Sequence, residues 1–349
     1  MRDLNVNLAK EKILSFGTNI DFYCPKILEE IYGRKNLGLK IFARATKRHR
    51  IDFLNNQPWT KDRVEKLAIF QNILAFENLA PRVYDIVRIE KKYGHVVEFI
   101  KGEGTPGFTE SGLYVDACKK IDSYFKKYSI VEMGFDGRND NFIDGKAVDL
   151  NDFYFKDFNR YKKDVIKRVQ TTQAIGNHGI PQSYQTFDEI SGDRDTKFRV
   201  ERMELDKDNF SGKTVLDLGC SMGAFCHEAA KRGAKRIFGI DLPKTIKVAK
   251  ELASLKGYHN IDFLAIDVTK NDAYEQIKKA TGFEKFDIIF WLSMSRYMGK
   301  PAIDWMLDCC DEILYGDDYL TQLKLPPKFK TVELEPIDNR RIFKGYIIK

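Results

Sequence analysis

The stretch VLDLGCSMGAFC, residues 215–226, constrains this chain more than any other. An apolar run ends in Asp217-Leu218-Gly219, turns through Cys220, Ser221 and Met222 to Gly223, and passes directly into helix-forming residues. Strand, glycine turn and helix in that order belong to a parallel, doubly wound sheet, whose open strand ends form a ligand crevice. A glycine at each end of the turn removes the Cβ that would hold a ligand away from the backbone.

The alternation continues downstream. Apolar runs predict strands over 214–219, 236–241, 261–267, 286–293 and 312–317, with helices over 224–231, 243–255, 271–279 and 302–310 between them. TVELEPI and RIFKGYIIK, joined at Asp338-Asn339, read as a closing antiparallel hairpin. The second strand ends in Gly239-Ile240-Asp241, where an acid can accept both hydroxyls of a ribose. A helix N-cap is the other role open to Asp241. The third strand ends in Ala265-Ile266-Asp267-Val268, placed to meet an adenine edge. A nicotinamide site competes, but the turn GCSMG lacks the middle glycine that a pyrophosphate needs.

This segment resembles motif I of class I S-adenosylmethionine-dependent methyltransferases, and the later strand ends follow that family's order. The resemblance implies an α/β Rossmann-like domain with a mostly parallel sheet over residues 206–349. It implies a donor set in which Gly219 to Gly223, with Cys220 and Ser221, wrap the methionine part. Asp241 binds the ribose, Asp267 and Val268 hold the adenine, and Asp217 and Leu242 belong to the same set. Leu292 and Ser293 face the methyl-transfer centre. Core packing serves equally well for Leu218 and Val268. LSMSRYMG stands where amine methylators carry NPPY, and no Lys-Asp-Lys-Glu set of the ribose-methylating kind is evident, so no methyl-transfer base is assigned. Upstream, GIPQSYQTFDEISGDRDTKFRVERMEL resembles the lead-in segment of methyltransferases of bacterial surface-glycan synthesis. There Tyr184, Gln185 and Arg194 would border the donor, with Arg194 gripping its carboxylate or a phosphate. A surface salt bridge is the alternative for Arg194.

The first half carries a different set. Ser15-Phe16-Gly17-Thr18-Asn19 lies between extended runs, the strand LGLKIF carries Lys40, and a helix over Asp62–Phe76 carries Glu65 ahead of an apolar face. LAPRVYDIVRIEKKYGHVVEFIKGE reads as two strands around a Lys-Lys-Tyr-Gly turn. GFDGRNDNFIDGKAVDLNDFYF then supplies Asp136, Asn141 and Asp149, with a hairpin turn at Asp144-Gly145. A plain polar turn would also account for the Asp136 to Asn141 stretch.

Together these resemble the protein-kinase-like fold, an α+β architecture, nearer to small-molecule and lipopolysaccharide kinases than to protein kinases. The resemblance implies that Gly17 covers ATP phosphates, Lys40 holds them, Glu65 fixes Lys40, and the backbone of Glu98 and Ile100 bonds adenine. Asp136 would orient or deprotonate the acceptor hydroxyl, with Asn141 and Asp149 as Mg²⁺ ligands. Phe135 replaces the family's His, Asn151 replaces a Gly, and most of the helical C-lobe is missing after Phe155. An active kinase, a nucleotide-binding remnant and a mistaken resemblance all stay open.

At 349 residues the chain exceeds one ordinary core, and the expected division is a kinase-like domain over 1–160, a linker and lead-in over 161–205, and a methyltransferase domain over 206–349. The net charge of +7, from 58 basic and 51 acidic residues, favours anionic substrates without a charge block of the kind DNA binders carry. The basic cluster Lys47-Arg48-His49-Arg50, near Trp59, suits either an anionic acceptor or a solvated loop. Apolar runs are too short to span a bilayer, which predicts a soluble cytoplasmic enzyme. Six cysteines without a CxxC pair read as reduced thiols, with Cys309 and Cys310 inside a helix.

The expectation is a bifunctional enzyme using S-adenosyl-L-methionine, ATP and Mg²⁺ to methylate and phosphorylate a glycan or related small hydroxyl acceptor. It resembles bifunctional O-antigen kinase/methyltransferases of polysaccharide biosynthesis, with the domain order reversed. Modification of RNA is an alternative, possible but not favoured; another is a methyltransferase with a pseudokinase docking domain. Oligomeric state and reaction order stay open.

Overall fold

The computed structural model describes residues 1–6, 13–16, 20–42, 59–101, 112–128, 130–132, 142–143, 146–148, 150, 153–172, 183–187, 189–190, 192–295, 297–318, 323–337 and 339–348. They form two compact units, Met1–Asp164 with Ser254–His259, and Val165–Ala253 with Asn260–Lys349.

The first unit contains β1 (Arg2–Asp3), β2 (Ile13–Phe16), β3 (Ile20–Tyr23), α1 (Ile27–Tyr32), β4 (Leu37–Phe42), α2 (Lys61–Ala75), β5 (Val83–Ile89) and β6 (Lys92–Glu98). α3 (Gly112–Tyr128), β7 (Ile130–Glu132), β8 (Phe142–Ile143), β9 (Lys146–Ala147), β10 (Phe153–Phe155) and the start of α4 (Phe158–Thr172) follow. Its main sheet has the order β1-β5-β6-β4-β3-β2, antiparallel except where β1 meets β5.

Helix α2 begins where Thr60 accepts the Arg63 N–H at 3.2 Å, an N-cap that satisfies an otherwise orphaned donor. It buries Val64, Leu67, Ala68, Ile69, Phe70, Ile73 and Leu74. Two buried amides latch it in place. Gln71 donates to the Pro81 carbonyl at 2.7 Å, and Asn72 exchanges hydrogen bonds with both the N–H and the carbonyl of Val83.

The turn between β5 and β6 is not where the Lys-Lys-Tyr-Gly run suggests. It falls at Glu90, with φ 55°, and Lys91, while Lys92, Tyr93 and Gly94 lie in β6. Gly94 answers a close approach rather than a turn, because a Cβ there would stand 2.9 Å from the Lys40 carbonyl oxygen on the paired strand.

The second unit opens with the rest of α4, which occupies the start of the stretch expected as a linker and lead-in. Next come β11 (Ser183–Gln185), β12 (Gly192–Arg194), α5 (Thr196–Arg202) and a 3₁₀ turn at Leu205–Lys207. The doubly wound part runs β13 (Thr214–Leu218), α6 (Ala224–Lys231), β14 (Arg236–Asp241), α7 (Pro243–Leu255), β15 (Ile261–Ala265), α8 (Ala273–Thr281) and β16 (Phe286–Leu292). It ends with α9 (Lys300–Asp308), β17 (Cys310–Asp318), β18 (Phe329–Ile337) and β19 (Arg340–Ile347). The sheet order is β15-β14-β13-β16-β17-β19-β18, parallel through β17 and antiparallel at β19 and β18, a mixed sheet of Rossmann-like form.

Leu216, Leu218, Phe238, Ile240, Ile289, Trp291, Leu314 and Phe343 fill the core, as strands covered on both faces require. Each such side chain contributes roughly 1.5–3 kcal/mol on burial. Cys309 and Cys310 depart from expectation. Cys309 caps α9 through its N–H to Trp305, and Cys310 opens β17 opposite Phe286, so the pair straddles a helix end and a strand start. Among the described residues no helix is long and apolar enough to cross a membrane.

Candidate functional site

At the carboxyl ends of the parallel strands of the second unit lies a cleft of about 630 Å³. Its floor is the turn after β13. The N–H groups of Gly219 and Cys220 both donate to the Ile240 carbonyl, at 2.9 and 3.0 Å, and the Gly223 N–H closes the turn onto Cys220 at 2.8 Å. Gly219, Ser221 and Gly223 all take positive φ, at 70°, 54° and 85°. A Cβ on Gly219 would press on the flexible Met294 side chain, which must shift to admit it, so the φ of 70° is what chiefly calls for glycine.

Asp241, at the end of β14, ties this turn to the next loop. Its carboxylate accepts the Ser221 N–H at 2.8 Å and the Leu242 N–H at 2.7 Å. Burial nonetheless raises its pKa above the ordinary carboxylate value, against those two donors. Asp267, beyond β15, accepts the Thr269 hydroxyl at 2.7 Å and its N–H at 3.0 Å, which hold its carboxyl below the usual range. On the far side Ser293, also at positive φ (62°), donates its N–H to Asp317 and receives a hydrogen bond from Arg340. Asp317 lies 3.4 Å from Arg340 Nη1 and 2.5 Å from Arg199 Nη2.

Of the residues expected at the donor site, Arg194, Gly219, Ser221, Asp241, Leu242, Asp267, Val268, Leu292 and Ser293 line this one cleft. Asp217, Cys220, Gly223 and Gln185 are not part of its lining. Asp217 is 3% exposed beneath the turn and accepts the Cys226 S–H at 3.3 Å, and burial pushes its pKa up to about 7. Burial likewise pushes the Cys220 thiol up to about 11. Gln185 is buried and accepts the Ala224 N–H at 3.2 Å, which caps α6. Tyr184 lies in β11, and its side chain is outside the described residues.

Met294, Tyr297 and Arg340 line the cleft without having been singled out, and Arg199 and Asp317 support them. Their one signal in the sequence is a pair of acids closing an apolar strand, Asp317-Asp318, and a pair of arginines opening the next hairpin strand, Arg340-Arg341.

In the first unit Lys40 is 6% exposed on β4, and its Nζ donates to the Val148 carbonyl at 3.4 Å. Glu65, expected to fix Lys40, pairs instead with Lys61 one helical turn earlier, at 3.4 Å. Lys61 shares its helix face and both side chains reach solvent, where an i,i+4 pair forms at little cost. Glu98 spends its N–H on the Arg82 carbonyl and its side chain on Lys146 at 3.0 Å, so only its carbonyl remains for the adenine contact expected of it. Ile100 follows β6. Gly17, residues 47–50, Phe135, Asp136, Asn141, Asp149 and Asn151 lie outside the described residues. Among the described residues no group of three or more His, Cys, Asp or Glu could hold a metal ion.

Residues 209–303 match a family described as methyltransferase domain. Protein arginine N-methyltransferase 1 of Saccharomyces cerevisiae is 48% identical over 52 residues, 15% of either chain. Ubiquinone biosynthesis O-methyltransferase of Pasteurella multocida is 29% identical over 124 residues, 33% of this chain and 48% of that one. The chain thus spans less than half the length of these curated relatives. The bifunctional kinase-methyltransferase WbdD overlaps structurally with 21% identity and a TM-score of 0.37, over 48% of this chain and 44% of that one, a level that carries no functional assignment. From the domain match and the strand-end geometry, the C-terminal part of this chain is a class I S-adenosylmethionine-type methyltransferase domain.

Proposed function

We propose that the chain transfers a methyl group from S-adenosylmethionine to a glycan or related small hydroxyl acceptor in bacterial surface-polysaccharide synthesis, in the cytoplasm. In the same proposal its first unit binds ATP and Mg²⁺ and phosphorylates that acceptor. The observation that carries the methyl-transfer half is Asp241, whose carboxylate joins the Gly219–Gly223 turn to the next loop at the mouth of the cleft.

The residues present suit the donor. Gly219 offers a Cβ-free surface, Asp241 retains lone pairs for ribose hydroxyls, Asp267 and Val268 stand at the adenine end, and Arg194 can pair with a carboxylate. The bound donor would supply an electrophilic methyl on a sulfonium. Leu292 and Ser293 then orient the acceptor oxygen for an inline approach, where positioning itself lowers the barrier. Asp217, Cys220, Gly223 and Gln185 hold the turn from behind, with Tyr184 beside Gln185 in the chain.

For the first unit the support is Lys40, buried on the strand that precedes the long helix α2, with its ammonium at the residue before Asp149. A lysine strand followed by a helix is the order of the phosphotransfer template. Gly17, Glu98 and Ile100 would complete the nucleotide site, Asn141 and Asp149 would hold the metal, and Asp136 would serve the acceptor. The Glu65–Lys61 pair favours a second reading, in which this unit binds nucleotide or docks substrate without turnover.

One experiment separates these readings: incubation with labelled ATP and labelled S-adenosylmethionine against glycan and RNA extracts. Both labels in the glycan pool are expected. Methyl label alone, with unchanged output from Asp149→Ala, removes the kinase; label in RNA alone, with salt-sensitive RNA binding, replaces the acceptor. Failure of the protein to bind S-adenosylhomocysteine refutes the methyl-transfer half.

A further inference from the structure

The positive charge of the chain is not spread evenly along it. Helices α3 and α4 carry nine basic residues against three acids, an excess of six in a chain whose net charge is +7. We infer that the outward sides of α3 and of the start of α4, both in the first unit, dock on an anionic phospholipid bilayer. The inference goes beyond the proposed reactions and stands apart from them.

Both helices turn their apolar sides inward onto one cluster of rings. Phe125 of α3 lies 5.7 Å from Phe70 of α2, Tyr128 meets Tyr161 of α4 edge-on at 5.4 Å, and Tyr161 lies 4.8 Å from Phe155. Ala117, Ile121, Phe125 and Tyr128 are the buried residues of α3, which leaves Lys119 and Lys120 on its outer side. Arg160 and Lys163, three residues apart, share the exposed side of α4, and Lys156 is exposed just before it. Some neighbouring cations are already engaged. Lys126 pairs with Asp122 at 3.4 Å, and Lys127 sits over the Tyr124 and Tyr128 rings. The side chains of Lys119, Lys120, Lys156, Arg160 and Lys163 make no ion pair or hydrogen bond with any described residue. The basic run of the second unit differs, because Lys231, Arg232 and Arg236 each hold an acid, Glu228, Asp206 and Asp262 in turn.

Like charges gathered on one side of a unit make a positive potential, and an anionic surface is its complement. A bilayer suits this side better than a nucleic acid does. Four of the five cations are lysines, compact point charges that need no directed partner, whereas nucleic-acid recognition draws on guanidinium forks and exposed stacking rings. Among the described residues no large apolar or aromatic side chain of α3 or α4 is exposed. With the apolar sides turned into the core, nothing is left to insert, and the contact is electrostatic and peripheral. Each lysine or arginine close to an anionic bilayer strengthens binding about fivefold, and the attraction fades within a Debye length, roughly 8 Å at physiological salt.

The test is sedimentation of the full chain with vesicles of phosphatidylcholine alone and of phosphatidylcholine mixed with phosphatidylglycerol, at about 50 mM and about 500 mM salt. The chain is expected to sediment with the anionic vesicles at the lower salt, to leave them at the higher, and to ignore the neutral ones. Lys119→Gln, Lys120→Gln, Arg160→Gln and Lys163→Gln combined should weaken that binding about 100-fold or more, and each alone about fivefold. The single variants carry the test if the combined one does not fold. Four exposed lysines of the second unit, Lys244, Lys279, Lys300 and Lys330, replaced together by Gln, form the control and should change binding by less than about fivefold. Equal losses from the two sets overturn the inference, since the overall charge of the chain is then the cause. Wild-type chain that stays off the anionic vesicles at about 50 mM salt, stays on them at about 500 mM, or binds neutral vesicles equally well overturns it too. So does binding to poly(U) by a chain that leaves anionic vesicles in suspension, which makes a nucleic acid the occupant.

Discussion

Asp217 sits under the glycine turn with almost no water, and burial lifts its pKa from 3.8 to about 7, with Asp241 adding to the rise and Cys226 and Arg199 opposing it. The unfolded chain releases that proton near 3.8, whereas the folded protein keeps it up to about 7. Between those values the folded state binds more protons, so this carboxyl makes the protein less stable as pH rises through the window. A gap of about 3 pKa units corresponds to ~4 kcal/mol, fully expressed above pH 7. Asp217→Asn keeps an oxygen to accept the Cys226 S–H, now at 3.3 Å, and removes the charge. The variant should match the wild type near pH 4 and become progressively more stable, by up to ~4 kcal/mol, at pH 8. Urea unfolding at a series of pH values, followed by tryptophan fluorescence to which the buried Trp291 contributes, measures it. Taking the difference between the two proteins cancels the titrating groups that do not interact with Asp217. A difference that does not vary with pH, or a variant less stable at pH 8, refutes the assignment of a protonated Asp217 to the folded state.

Asp241→Ala removes the acceptor of two backbone N–H groups and the candidate ribose ligand, and S-adenosylhomocysteine affinity should drop about 10- to 100-fold by calorimetry. An unchanged affinity contradicts the site. Gly219→Ala should destabilise through both its φ of 70° and the contact with Met294, and adding Met294→Ala should recover only the steric share in a thermal melt. Full recovery would show that the backbone conformation costs nothing. Lys344, 1% exposed, bonds Asp208 at 2.7 Å, and Lys344→Met would leave that buried carboxylate without its counter-ion, held only by the Tyr315 and Tyr346 hydroxyls, so a loss of about 3 kcal/mol is expected in urea; a loss below about 1 kcal/mol would contradict a buried pair. Burial drives the His95 ring down to about 3 from 6.5, so the unfolded chain protonates first and the first unit's stability, complete above pH 6.5, is lost as pH falls towards 3. His95→Gln, which retains a donor for the Val64 carbonyl, should flatten that acid loss, and an unaltered acid limb would count against a neutral buried His95.

The two halves of the cleft were encoded at different ranges, which decides how much of each could be read. Every residue proposed to hold the donor lies at or within a few positions of a parallel strand's end, and strands and helices of that kind declare themselves through local periodicity. The boundaries of β14, α6 and α7 coincide with the pattern, while α8 and α9 each shift by two residues, as helix ends do when caps rather than apolar spacing set them. Arg340 has no such local signature. It reaches Ser293 and Asp317 through a hairpin whose register against β17 is a long-range fact, and Arg199 arrives at the same carboxylate from α5. The first unit shows the same limit at shorter range. Spacing identified the strand of Lys40 and the helix of Glu65, but which lysine Glu65 meets depends on a rotamer choice in which Lys61 is always within reach. The Lys-Lys-Tyr-Gly run misleads because a glycine shortly after two lysines signals a turn, whereas Gly94 lies inside β6 and admits a neighbouring backbone. Arg199 joins the two sides of the cleft, since it bonds Asp317 and its charge acts on Asp217 beneath the turn after β13.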